Sequence, residues 1–119
     1  MVSLIIRNGY IILRQSLLNP LDFSVILGYK LPDRAPVFRL RRYDSKAEHK
    51  NRIERQRFTN YHVHTATARY QARGFDEEGY AEESDRFTDL HGALQCMFAE
   101  CGFDLPPDAQ INLFPGGLP

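Results

Sequence analysis

The sequence predicts an α+β domain, an antiparallel sheet of four or five strands with one long C-terminal helix packed on it. Three observations carry that expectation. Residues 2–43 hold successive apolar runs, some with period-two alternation, separated by turn residues at Asn8-Gly9, Asn19-Pro20 and Pro32–Pro36. Residues 88–101 instead place Leu90, Leu94, Met97, Phe98 and Cys101 on one helical stripe. With 119 residues, 43% of them hydrophobic, the chain suits one core and not two.

Each element has a local reason. Val2 to Arg7 is β-branched and apolar, and Asn8-Gly9 is a strong two-residue hairpin signal before the run from Tyr10 to Leu18. Asn19-Pro20 breaks that strand, and Phe23 to Leu31 supplies a third with Phe23, Val25, Leu27 and Tyr29 on one face. Val37 to Tyr43 reads as a fourth strand. Strict alternation there sets Val37, Arg39, Arg41 and Tyr43 on one face and Phe38, Leu40 and Arg42 on the other, so that one face packs on the core while the other displays arginines. Residues 44–57 are polar and basic, open to a mobile loop or a short solvated helix. Phe58 to His64 is extended, Thr65 to Arg73 is a short helix closed by Gly74, and residues 75–86 are an acidic connection. Thr88 can cap the long helix, which Gly102 stops. Residues 1–105 form the domain and 106–119 a Pro/Gly-rich tail.

Cys96 and Cys101 are five apart on the helix, separated by about 500° of turn and about 7.5 Å of rise, a poor geometry for a disulfide. No metal-type cysteine spacing, signal peptide or membrane span is read, which points to a reduced, cytoplasmic protein.

The formal net charge of zero excludes a uniformly basic protein, but it is a cancellation. Residues 34–73 carry eleven Lys and Arg against three carboxylates, and residues 74–119 carry Arg86 alone against ten. A basic middle and an acidic end suggest a polyanion-facing surface, with the acidic strip on the opposite side or partly shielding the basic one as an internal substrate mimic.

Three of the four histidines lie in the basic strip. His62 and His64 are two apart and share one face of a strand. Metal-independent RNA cleavage needs a base for the 2′-hydroxyl, an acid for the leaving oxygen and cations for the phosphorane charge. Histidine and arginine suit those tasks. A second reading makes His62 and His64 metal ligands with His49 or Asp44, against the repulsion of the surrounding positive charge. A third treats the strip as a solvated face with surface histidines. His91, near the helix start, reads as structural.

The run Arg42-Tyr43-Asp44-Ser45, then His49, then Phe58 and the pair His62-x-His64, resembles TumE-type toxins of bacterial and archaeal toxin–antitoxin pairs. Those are small sheet-plus-helix proteins with an Arg-Tyr-Asp-Asn-like strand end, a His-bearing loop and a Phe-Pro-His-His-x-His-like segment. Here Ser45 stands in place of Asn, the proline after Phe58 is absent, and one extra residue precedes His62. The resemblance implies a toxin paired with a helix-turn-helix antitoxin and acting on RNA.

Together these give a ribonuclease toxin with His62 and His64 as proton-transfer groups and His49 as a second acid. Asp44 orients an imidazole, Arg41, Arg42 and Arg69 hold phosphate, and Tyr43 stacks on or hydrogen-bonds the substrate. No cofactor or metal is expected on this reading. The partners are RNA and the antitoxin, not a membrane, and a homodimer is left open. A non-catalytic RNA- or protein-binding module with a basic sheet face is the alternative, and a His-based metal protein the second.

Overall fold

The computed structural model describes residues 2–6, 9–29 and 38–101, with an antiparallel sheet carrying one long helix, as the α+β expectation requires. The chain runs β1 (Val2–Ile6), β2 (Gly9–Gln15), β3 (Phe23–Tyr29), β4 (Phe38–Asp44), β5 (His49–Asn51), β6 (Gln56–Phe58), β7 (His62–Thr65), α1 (Ala68–Ala72), β8 (Ala81–Glu83) and α2 (Leu90–Cys101). The main sheet has the order β1-β2-β3-β4-β7-β8, and β5 with β6 forms a separate two-stranded ribbon. Every neighbouring pair is antiparallel. The sixth strand, β8, comes from the segment expected to be only an acidic connection. Its Glu82 and Glu83 are exposed, and charged side chains at a sheet edge discourage further pairing. Gly9 pairs with Ile6 instead of sitting in the turn. Asn8, the Pro32–Pro36 turn, Val37, Gly102 and the 106–119 tail lie outside the described residues.

Register divides the sheet into two unlike faces. Leu13, Val25, Tyr43 and Val63 are direct cross-strand partners and pack with Ile11 and Phe23 beneath α2. The helix returns Leu90, Ala93, Leu94 and Met97, whose spacing of three, one and three keeps them on one side. Phe87 stands edge-on to Phe23, Tyr43 and Tyr61 and closes the core at the helix entry. The N-cap is Asp89, whose carboxylate accepts the Gly92 N–H at 2.7 Å, and not the expected Thr88. Among the described residues, no helix is long and apolar enough to cross a membrane.

Two departures from the expected alternation decide where the site lies. Register shifts between Leu27 and Gly28, whose partners are Arg41 and Arg39, so Leu40 is the extra residue of a β-bulge. The bulge turns Arg39 over to the side of Arg42, and both guanidiniums reach Glu78. Arg41 stays with Tyr43 on the helix side, so the arginines are split between faces. Within residues 44–57, expected to be a loop or a short helix, a loop after Asp44 leads into the ribbon. Apart from Phe58, its inward contacts are polar and leave no apolar period to read. The Asn51 side chain bonds both the N–H and the C=O of Ala81, at 2.9 and 2.7 Å. The Ile53 N–H donates to the Tyr70 hydroxyl at 3.1 Å, tying the ribbon turn to α1.

A histidine–aspartate cluster beneath a basic ribbon

The face opposite α2 is assembled by register. Arg14, Ser24, Asp44, His62 and Glu83 form one row across β2, β3, β4, β7 and β8, and Ile12, Ile26, Arg42, His64 and Ala81 form the next. Asp44 therefore stands beside Ser24 on one strand and His62 on the other, with His64 diagonal to it. Its two oxygens have different surroundings. Oδ1 accepts from Ser24 Oγ and Arg42 Nε, both at 2.7 Å. Oδ2 faces His64 Nε2 at 3.2 Å and His62 Nε2 at 3.6 Å.

The imidazoles are held from behind. His62 Nδ1–H donates to the Asn60 carbonyl at 2.8 Å, and His64 Nδ1–H donates to the Glu78 carbonyl at 2.9 Å. Carbonyls only accept, so both Nδ1 atoms carry the proton and both Nε2 atoms are the functional ones. His49, reached from β5, stacks on His62 at 5.7 Å between ring centroids and meets His64 edge-on at 4.8 Å. Its Nε2–H is shared between Asn51 Oδ1 at 2.8 Å and the Gly79 carbonyl at 3.1 Å, which leaves Nδ1 with the lone pair in the neutral ring. Phe58, opposite His49 in the ribbon, covers His49 and His62.

Burial ranks these groups. His62 is 2% and His64 8% exposed, whereas His49 is half-buried. Burial disfavours ionisation of Asp44, yet the His64 contact, the Ser24 hydrogen bond and the Arg42 charge outweigh it and hold the carboxyl far below its ordinary value. Burial, with the neighbouring His64, pushes His49 and His62 below the usual histidine value.

A groove of about 640 Å³ runs between the ribbon and the 74–79 turn, lined by Glu48, His49, Lys50, Arg52 and Arg57 on one side and Phe75, Asp76 and Gly79 on the other. Lys50, Arg52, Arg55 and Arg57 are all exposed, and Arg57 reaches Glu48 at 3.7 Å. Gly79 has no room for a side chain, since a Cβ there would lie 2.8 Å from the Tyr70 ring.

Of the residues singled out from sequence, His49, His62, His64, Asp44 and Arg42 meet here. Tyr43 does not: it is fully buried on the helix side, donating to Glu100 at 2.5 Å, so stacking on a substrate is closed to it. Arg41 is on that same side, 3.5 Å from Glu100, with its guanidinium over the Tyr43 ring. Arg69 is exposed on α1, lying over Tyr70 and Tyr80 and paired with Glu54. Neither arginine contacts the cluster. The acidic segment does shield part of the basic one: Glu77 and Glu78 bind Arg39 at 2.6 and 2.8 Å, and Glu78 binds Arg42 at 3.2 Å. Sequence reasoning missed Ser24, Asn51, Phe58 as a lid, and Glu78. Only a correct register and the ribbon would have found them.

No family model, curated protein or solved structure matches this chain.

Proposed function

We propose that this protein is the toxin of a toxin–antitoxin pair, a cytoplasmic ribonuclease acting in the groove between the basic ribbon and the 74–79 turn. The observation that carries the reading is the convergence of three imidazoles and Asp44 beside the exposed row Lys50, Arg52, Arg55 and Arg57. The resemblance of the Arg42–Ser45 and His62–His64 segments to TumE-type toxins agrees with it.

Burial redistributes the expected roles. His49 lines the groove and is the imidazole a substrate would meet, while His62, His64 and Asp44 lie behind it and fix its ring. In the reaction, His49 Nδ1 takes the proton of a ribose 2′-hydroxyl, and the resulting oxyanion attacks the adjacent phosphorus. The P–O bond to the 5′-oxygen breaks, and the protonated imidazole returns its proton to that leaving oxygen. Lys50, Arg52 and Arg57 supply the charge that the phosphorane develops. Arg42 is already committed to Asp44 and Glu78, so the outer cations replace it as phosphate binders.

The test is expression alone, followed by cleavage of RNA by purified protein. Wild type halts growth, and His49→Ala lowers cleavage by about 10²–10⁴-fold while unfolding at the same temperature. Full cleavage by His49→Ala overturns the assignment. Salt-sensitive RNA binding by wild type with no turnover would make the protein a binding module, the reading the exposed ribbon cations favour by themselves.

A further inference from the structure

Three electron-pair donors from two adjacent rows converge: Asp44 Oδ2, His62 Nε2 and His64 Nε2, all within 4.8 Å of one another. We infer that Asp44, His62 and His64 bind one divalent first-row transition ion, with zinc as the natural occupant, at a site behind the groove.

Three observations support it. The Nδ1–H of each histidine is held by a backbone carbonyl, the arrangement that fixes a ligand imidazole with Nε2 toward a metal. Asp44 is held in the same way, because Ser24 and Arg42 occupy Oδ1 and leave Oδ2 turned to the histidines. The two Asp44–imidazole separations of 3.2 and 3.6 Å lie near what coordination demands, and the edge between the two imidazole nitrogens, within 4.8 Å, closes as they turn onto the ion. Metal bonds of about 2.0–2.2 Å place two ligands about 3.3–3.5 Å apart on a tetrahedral edge. A proton on His64 Nε2 would satisfy the shorter contact only. A cation satisfies all three atoms.

Positive charge, the objection raised by the sequence, is answered locally. Arg14, Arg39 and Arg42 are the guanidiniums bonded around the triad on this face, and Asp22, Asp44, Glu77 and Glu78 oppose them, so carboxylates outnumber them. Two imidazoles and one carboxylate favour zinc or iron over calcium or magnesium, which prefer all-oxygen sites. Three protein ligands leave a fourth position for water.

The probe is zinc, with cobalt(II) as its spectroscopic stand-in, on the full chain purified without a His tag. One ion per chain is expected, with a raised melting temperature on zinc addition and the intense visible bands of tetrahedral cobalt. His64→Gln, which keeps the side-chain volume close, should lose affinity at least about 100-fold, and Ser24→Ala, which frees Oδ1, about 10-fold or more. Wild type that remains folded but takes up no stoichiometric zinc overturns the inference, as does His64→Gln binding as tightly as wild type. Should His64→Gln fail to fold, absence of the cobalt bands in wild type decides against it. All readouts concern metal on the protein, so this outcome and that of the ribonuclease test are independent.

Discussion

Adjacent residues on β4 belong to different worlds. Asp44 faces the imidazoles, and Tyr43, one position earlier, is sealed beneath α2 with its hydroxyl on Glu100. Burial disfavours the tyrosinate and pushes the Tyr43 hydroxyl up to about 12 from 10.0. An acid with a raised folded value stabilises the fold fully below its unfolded value, and that stability is lost as pH climbs through the folded one. Urea unfolding from pH 8 upward should therefore show stability falling from about pH 10 to about pH 12, by about 2–3 kcal/mol for this group. Tyr43→Phe should lack that part of the decline while other tyrosines keep theirs. Identical pH slopes for the two proteins would mean that Tyr43 ionises freely.

Among elements, the ribbon β5–β6 is the unusual one. With three residue pairs it cannot stand alone, and it is fastened by polar atoms instead of a hydrophobic stripe. Asn51, 1% exposed, supplies the main clasp by pairing its amide with both backbone groups of Ala81. Asn51→Ala would leave that N–H and C=O buried without partners, so a loss of about 2–3 kcal/mol is expected in chemical denaturation. Hydrogen exchange at Ala81 and in the ribbon should quicken with it. Unchanged exchange would show that Phe58 and Tyr70 hold the ribbon without the clasp. The same displacement removes His49 from the histidine pair, so cleavage should fall beyond what lost stability explains.

Over the whole molecule, zero net charge conceals a division of labour. The acidic segment folds back through Glu77 and Glu78 onto Arg39 and Arg42, leaving the ribbon as the cationic surface. Reversing Arg52 and Arg55 to glutamate should weaken RNA binding uniformly across sequences and flatten its salt dependence. Replacing Arg39 should leave the salt slope almost untouched, because its charge is already spent on carboxylates. Filter-binding titrations over a range of salt would separate these outcomes, and a steeper loss from Arg39 would place the RNA on the sheet instead of the ribbon.

Much of the architecture was legible because burial writes itself locally. Apolar runs marked β1 and β2, period-two alternation marked β3 and β4, and the stripe from Leu90 to Cys101 marked α2, since apolar surface must leave water. The two-residue spacing also put His62 and His64 on one side. What lies around them was not legible. The bulge at Leu40, the row joining Ser24, Asp44 and His62, the seating of His49 and the capture of Arg42 by Glu78 are set by pairings between distant segments. By itself, then, the sequence determined the α+β class, the basic and acidic strips and the histidine pair. Tertiary structure alone decided that Asp44 and not Tyr43 joins that pair, because register, unlike periodicity, is fixed only when strands meet.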